Sequence, residues 1–362
     1  MQVEEGRAKI KFSDGTFYNP NMRGLRDISV LFLKAVGKKR YSLLDATSAT
    51  GIRGIRYALE AGAGKTTYLD MNKKAYADTK LNVKRNKLKG TIFNLDIQEF
   101  ANSSEESFDV IDLDPFGSVA PYVYDLMKVA KDGTILMATA TDAAVLCGAH
   151  YSACLKIYAS QPLNNELCQE VGTRILINFI ARIAAQLNFG IEVKLAISNL
   201  HYMRVFLVLH HGAENAVESI KQTGFGAFCS KCRAFYSSKG LAPKLNGKCA
   251  NCGAETIPFG PIWLGNIYDH ALLRKMKIMM PKGMDKNAIK LLRTVDLELD
   301  TPFFYSIPKL TRYLGISSVP RKRVLDKLGK KYEVSGTHFD PDGIKTDAPI
   351  KKILGSVKGA AT

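Results

Sequence analysis

Four consecutive residues, Asp114, Pro115, Phe116 and Gly117, directly follow FDVIDL, a branched, apolar run with the composition of a buried strand. A carboxylate, a proline and an aromatic ring at a strand end suit one substrate group in particular, an amine attached to an aromatic base. The lone pair of such an amine is delocalised into its ring, which makes it a poor nucleophile. A carboxylate oxygen and an adjacent main-chain carbonyl that accept its two N–H groups make that lone pair more available. Proline has no N–H and constrains φ, so it helps to aim its carbonyl, while Phe116 can stack on the base. Taken alone, the same four residues also read as an ordinary turn after a strand.

The elements that would position this group form an alternation of β and helical segments over the first 210 residues. YSLLDAT, KTTYLDM, TIFNLD, FDVIDLD, GTILMATA, IEVKLAIS and MRVFLVLHH read as seven strands of an open, doubly wound α/β sheet. Ile52, Ile55 and Leu59 mark a helix after the first strand, Asn72 caps another, Ser118 can cap the one after Gly117, and a long helix runs from about 166 to 188. The connection between the last two strands is short, which predicts a hairpin and an antiparallel end to the sheet.

Ligands of open α/β sheets gather outside the carboxyl ends of the strands, and acidic residues stand there. The first strand ends in Asp45 and enters the small-residue loop Thr47, Ser48, Ala49, Thr50, Gly51, which allows close approach to the backbone. Asp70 ends the second strand, placed to hold both hydroxyls of a ribose. Asp96 and Ile97 end the third, where a carboxylate and a backbone amide can read a purine edge. Two look-alikes fail. A dinucleotide loop G-x-G-x-x-G has Ala49 at its first glycine, and GAGKTT has Leu59 where a phosphate loop needs glycine and precedes a strand instead of following one.

Cys229, Cys232, Cys249 and Cys252 are spaced C-x2-C-x16-C-x2-C. Each pair on a tight turn offers two sulfurs, and two pairs complete a tetrahedron, the pattern of a zinc ribbon. Gly247 and Gly253 are expected to supply positive φ in those turns. Four protein ligands leave no open position, so the ion is structural. Disulfides or a redox pair are the competing reading, and Cys147, Cys154 and Cys168, without such spacing, read as core residues.

The formal charge of +17 is unevenly shared: residues 1–220 carry 26 basic and 23 acidic side chains, residues 221–362 carry 25 and 11. That asymmetry favours a polyanionic partner, nucleic acid first, over a merely solvated basic surface. No uninterrupted apolar stretch approaches the roughly 18 residues needed to cross a bilayer, and the N-terminus lacks an apolar signal core. A soluble, cytoplasmic protein with no membrane partner is expected. The oligomeric state stays open, and a monomer is compatible with everything above.

In class I methyltransferases that modify exocyclic amines, Asn or Asp followed by Pro and an aromatic occupies the place of Asp114–Phe116. The motifs DATSATGIRGIRYALE, DLDPFG, TATDAAVLCGAH, ELCQEVGTRIL, FGPIWLG and THFDPDGIKTDAP together resemble the archaeal and eukaryotic tRNA guanine-26 N2-dimethyltransferases, over about residues 17–349. The resemblance implies a Rossmann-like class I fold, S-adenosyl-L-methionine as donor, and the N2 amine of a tRNA guanosine as acceptor, methylated once or twice. It implies donor-binding roles for Arg26, Arg53, Asp70, Asp96 and Ile97, beside the Asp45 read from its strand end. Asp114 and Pro115 would hold the amine, with Phe116 and Phe17 as two faces of a sandwich around the base. The family usually has Asn before the arginine at 26; here Leu25 stands there. Some members lack the cysteine pairs, which makes the ribbon an accessory to the reaction.

The expected plan is a catalytic domain over 1–220, a zinc ribbon over 221–258 and an α+β tRNA-docking domain over 259–362. The last contains an amphipathic helix over 286–299, with Ile289, Leu292, Val295 and Leu299 on one face, then two helices and a short strand. Two alternatives stay in view: methylation of a different RNA base amine, such as adenine N6 or another guanosine, and a catalytically silent zinc-ribbon RNA-binding protein.

Overall fold

In the computed structural model, which describes residues 1–199 and 201–361, the chain opens with a hairpin of β1 (Gln2–Glu5) and β2 (Ala8–Lys11). A turn of 3-10 helix, Pro20–Met22, leads into α1 (Arg23–Val36), which Gly37 ends in the left-handed conformation, its N–H on Leu33 O. The alternation then follows the sequence expectation: β3 (Tyr41–Asp45), α2 (Ile52–Glu60), β4 (Ala63–Leu69), α3 (Lys73–Arg85), β5 (Thr91–Phe93), α4 (Ile97–Ser103), β6 (Phe108–Leu113), α5 (Ala120–Lys128) and β7 (Ala130–Ala140). Two short helices, α6 (Ala143–Leu146) and α7 (Tyr151–Tyr158), precede α8 (Cys168–Gln186), β8 (Phe189–Asn199), β9 (Tyr202–His211) and α9 (Ala213–Ile220). Asn72 caps α3 through Lys74 and Ala75 N–H as expected, whereas Ser118 only accepts from Ala120 N–H at 3.1 Å while Val119 holds the cap position of α5.

All seven expected strands join one sheet in the order β5-β4-β3-β6-β7-β9-β8. The first five are parallel, and β9 runs antiparallel to both β7 and β8. The order reverses between β3 and β6, so the carboxyl ends of those strands, Asp45 and the residues after Leu113, flank the switch point where such sheets open a crevice.

Strands β10 (Thr223–Phe228), β11 (Phe235–Lys239) and β12 (Ile257–Trp263) form a small antiparallel sheet of order β11-β10-β12. The boundary expected after residue 258 therefore falls inside β12, which pairs along β10 from Phe228↔Ile257 to Thr223↔Trp263. Helices α10 (His270–Ile278) and α11 (Lys286–Asp296) then return to pack on α1, and Met276, Leu292 and Val295 join the main hydrophobic core. Helix α11 stops short of Leu299, whose N–H instead donates to Ser335 Oγ at 3.0 Å.

A separate core, from Tyr305 to Ala360, belongs to a terminal module of β13 (Tyr305–Ser306), α12 (Ile307–Leu314), α13 (Arg321–Leu328), β14 (Val334–Gly336), β15 (Gly343–Thr346) and α14 (Ile350–Ala361), with sheet order β13-β15-β14. Residue 362 lies outside the described residues. The module is joined to the body through fully buried charges. Lys345 Nζ of β15 lies 3.2 Å from Glu170 of α8 and 3.1 Å from Glu298, Glu170 also pairs with Arg174, and Glu298 pairs with His338 at 2.8 Å. Glu170 further accepts from Phe303 N–H at 2.8 Å. Cations and carboxylates alternate here, so each buried charge has a counter-ion.

Candidate active site and metal centre

A cleft of about 580 Å³ opens at the switch point, lined by Phe17–Asn19, Met22 and Arg26, the loop 47–53, Asp70–Asn72, Asp114–Phe116, Tyr122, Thr141, His201 and Tyr202. The loop after β3 is shaped by backbone conformation: Ala49 (φ 50°) and Gly51 (φ 76°) are both left-handed, so the place where a dinucleotide loop needs its first glycine is filled by alanine. Gly54 lets α2 pass close to the sheet, since a Cβ there would lie 2.4 Å from the Tyr68 ring and 3.1 Å from Asp45 Oδ2.

Asp70 is fixed from both sides, with Oδ2 accepting from Ala49 N–H at 2.8 Å and Oδ1 from Asn72 N–H at 2.9 Å. Burial raises its carboxyl, and those two amides oppose the rise. Arg26, buried beneath the Tyr18 ring, forms a two-contact pair with Glu5 at 2.7 and 2.5 Å and donates to Asn19 O. Burial acts to raise Glu5, but the hydrogen bonds and charges of Arg26 and Arg56 outweigh it and bring it to about 2. The hairpin at the start of the chain thus supplies the counter-ion that sets Arg26 in the cleft wall.

Asp114 sits at the end of β6, 22% exposed, its N–H donating to Thr47 Oγ1 at 3.0 Å. Arg53 places two nitrogens on the same oxygen, Oδ2, at 2.8 and 2.5 Å. Beneath them Asp112 accepts from the Tyr57 hydroxyl and from Arg204 Nη2 at 2.9 Å, and Arg204 also reaches Thr139 Oγ1 at 2.6 Å. Burial works to raise the Asp114 carboxyl. Arg53, then Arg204 and the Thr139 hydroxyl, overcome it and hold the group below the ordinary carboxylate range. A carboxylate kept ionised, with its orientation fixed through one oxygen, is a competent acceptor for an amine N–H.

The fold places the other expected site residues differently. Asp45 does not line the cleft: its carboxylate is buried behind the loop and accepts from Gly54 N–H at 2.9 Å, and burial with the neighbouring Asp112 carboxylate pushes it up to about 7. Asp96 and Ile97 also lie outside the lining; Asp96 caps α4 through Glu99 N–H at 2.7 Å, and Ile97 is buried. Arg53 lines the cleft, but its guanidinium is committed to Asp114. Phe17 and Phe116 do face each other, 50% and 74% exposed, yet their centroids are 4.6 Å apart at an interplanar angle of 79°. They close edge to face, and a base can enter between them only if one ring swings away.

Sequence reasoning missed Asp112, Tyr57, Arg204 and Glu5. A signal existed for Arg204, a lone cation inside the apolar run MRVFLVLHH; a charge in such a strand must be paired to be buried.

The four ribbon cysteines converge, their sulfurs all within 4.8 Å of one another, with Cys229–Cys252 and Cys232–Cys249 at 3.5 Å. Zinc–sulfur bonds of about 2.3 Å in a tetrahedron require sulfurs about 3.8 Å apart, so the residues fit a structural zinc. Cys232 N–H and Asn251 N–H point at Cys229 Sγ and Cys249 Sγ, as metal-bound thiolates require. Gly253 takes φ 72° after the second pair, and Arg233 takes φ 65° at the matching place after the first. Gly247 does not have positive φ.

A family model described as N2,N2-dimethylguanosine tRNA methyltransferase matches residues 1–358. The chain belongs to this family. Among curated relatives, it is 38% identical to the tRNA (guanine(26)-N(2))-dimethyltransferase of Pyrococcus horikoshii over 99% of this chain and 98% of that protein. It is 36% identical to the enzyme of the same name from Methanobrevibacter smithii, over 98% and 96%. The solved structure of Trm1 from Pyrococcus horikoshii in complex with S-adenosyl-L-methionine superposes with a TM-score of 0.91 at 37% identity, covering 98% of this chain and 99% of that one. The class I methyltransferase fold expected from the motifs is thereby established. Among the described residues no helix is long and apolar enough to cross a membrane.

Proposed function

We propose that the protein is a tRNA guanine-26 N2-methyltransferase, transferring one or two methyl groups from S-adenosyl-L-methionine to the exocyclic amine. The observation that carries this reading is Asp114, ionised and pinned by Arg53 at the mouth of a cleft whose other wall carries Asp70 and the left-handed loop at Ala49–Gly51.

The donor supplies an electrophilic methyl group on a sulfonium. For its nucleoside part the chain offers Asp70, with both oxygens already oriented by amides, and the open backbone of 47–51. For its amino-acid part it offers the Arg26 wall. Asp114 accepts one N–H of the guanine amine and the Pro115 carbonyl accepts the other, which draws the lone pair out of conjugation. Holding the two reactants in this relation supplies most of the acceleration. The amine becomes acidic once alkylated, and its proton leaves to Asp114 or to water. Phe116 and Phe17 part to admit the base and then cover its faces.

The supporting division of labour is a catalytic body, a zinc ribbon that stiffens the return of the chain through β12, and a basic C-terminal stretch, from α10 onward, over which tRNA docks. One chain carries all cleft residues, so a monomer suffices, working in the cytoplasm beside its substrate. Asp114→Ala should cut turnover by orders of magnitude and leave donor affinity nearly unchanged. Mass spectrometry of a treated transcript locates the modified nucleotide, and full activity in the variant would eliminate the assignment.

A further inference from the structure

Helix α11 carries two opposed stripes. Ala288, Leu292 and Val295 are buried in the core, and Lys286, Lys290 and Arg293 repeat the same spacing two residues earlier, about half a turn away on the solvent side. This second stripe forms one wall of a groove of about 600 Å³ whose far wall is Arg321, at the start of α13, lying against Gly336 of β14. The groove is the seam between the catalytic body and the terminal module.

No carboxylate lines this groove, and none of its four cations has a hydrogen bond or ion pair among the described residues. That is unlike an ordinary solvated helix face, where oppositely charged neighbours are interspersed. The acid on the same helix, Asp296, is already engaged by Lys277 at 2.9 Å. Four unpaired cations converging on a concave surface repel one another unless an anion sits among them. At one end Leu297 is 72% exposed, an apolar surface for a sugar or base.

The groove also points at the cleft. The N-terminus of α11 is fastened to the first turns of α1, with Asp285 N–H on Asp27 Oδ2 at 3.1 Å, and Gly24 so close that a Cβ there would lie 2.9 Å from Asp285 Oδ1. Met22 and Arg26, at that same end of α1, line the cleft. The cationic stripe therefore begins beside the cleft wall and runs along α11 toward α13.

We propose that the α11–α13 seam is a phosphate track for the RNA backbone continuous with the target nucleotide. The docking surface is thus centred on a helix of the catalytic body and borrows one arginine from the terminal module. This inference rests on the tRNA-methyltransferase reading above, and its test separates the two.

The test compares the full-length chain with the variant Lys286→Gln, Lys290→Gln, Arg293→Gln and Arg321→Gln, measuring tRNA affinity across a salt series and donor affinity in parallel. Each lost phosphate contact lowers the slope of log affinity against log salt by about 0.7 to 0.9, so the quadruple variant should lose a slope of about 3. Near physiological salt its tRNA affinity should fall at least tenfold, while donor affinity holds. The three α11 substitutions alone, all at exposed positions, serve if the fourth disturbs folding, with an expected slope loss of about 2. A folded variant with the wild-type slope overturns the track. So does loss of binding to phosphatidylserine vesicles with tRNA binding intact, which would make the seam a membrane contact. A wild-type chain that neither binds nor methylates tRNA would overturn the functional reading itself.

Discussion

Replacing Arg53 with Met removes the cation that holds Asp114 while leaving the rest of the network in place. Asp112 keeps Arg204 at 2.9 Å and the Tyr57 hydroxyl, and Arg53 itself is only 3.9 Å from Asp112. The lost interaction is the two-contact pair on Asp114 Oδ2, at 2.8 and 2.5 Å. A hydrogen bond to a charged group contributes about 1.5 to 3 kcal/mol. Asp114 is 22% exposed, so water replaces part of it, and a net loss of about 2 kcal/mol is reasonable, equal to roughly one to two pH units in a protonation equilibrium. In the wild type the carboxyl is held low, so it stays ionised until pH falls through that lowered value, and the stability of the pair is likewise present above the ordinary carboxylate range and lost on acidification. The variant should therefore show the acid limb of kcat/KM displaced upward by about one to two pH units, with turnover at neutral pH reduced about tenfold or more because Asp114 is no longer oriented. Arg53→Lys keeps the charge without the fork and should hold the limb near its wild-type position while still lowering turnover. The assay is methyl incorporation from labelled donor into a tRNA transcript. An Arg53→Met enzyme with an unmoved acid limb and turnover within twofold of wild type would refute the positioning role.

Three further outcomes follow from the geometry. Asp45 is raised to about 7, so between its ordinary range and that value the unfolded chain ionises while the folded one stays protonated, and stability falls as pH rises; Asp45→Asn should flatten this decline and raise the melting temperature at pH 8, in differential scanning calorimetry. Gly54→Ala would drive a methyl into the Tyr68 ring, costing about 1 to 3 kcal/mol in chemical denaturation and weakening donor binding through the displaced loop. Elemental analysis should find one zinc per chain, and chelation or Cys249→Ser should lower the melting temperature without altering the pH profile of residual activity.

The sheet was readable because its strands are long apolar runs whose ends carry acids, and the short link between the last two dictated their antiparallel pairing. Cleft residues were readable where a motif tied them to a strand end, as with Asp70 and Asp114. Asp45 and Asp96 show the limit of that rule: Asp45 ends β3 but its carboxylate turns inward to an amide of α2, while β5 stops at Phe93 and Asp96 caps α4. A strand end fixes where a residue stands, and the local hydrogen-bond demand fixes where its side chain goes. Glu5 was beyond reach of pattern because its pairing with Arg26 joins a hairpin to a helix through a buried contact. The boundary at 258 follows the last cysteine pair, and it cuts a strand because β12 goes on pairing along β10 beyond it.

The buried ions joining Lys345 to Glu170 and Glu298 leave the terminal module no freedom to rock, since any hinge there would strand a charge in a dry interior. The molecule is then a fixed caliper, with one jaw at the cleft and the other, on the proposal above, at the α11–α13 seam. If tRNA runs along the proposed track, the protein sets the distance from its anchored backbone to the reactive guanine, and a transcript with that spacing altered should be a poorer substrate.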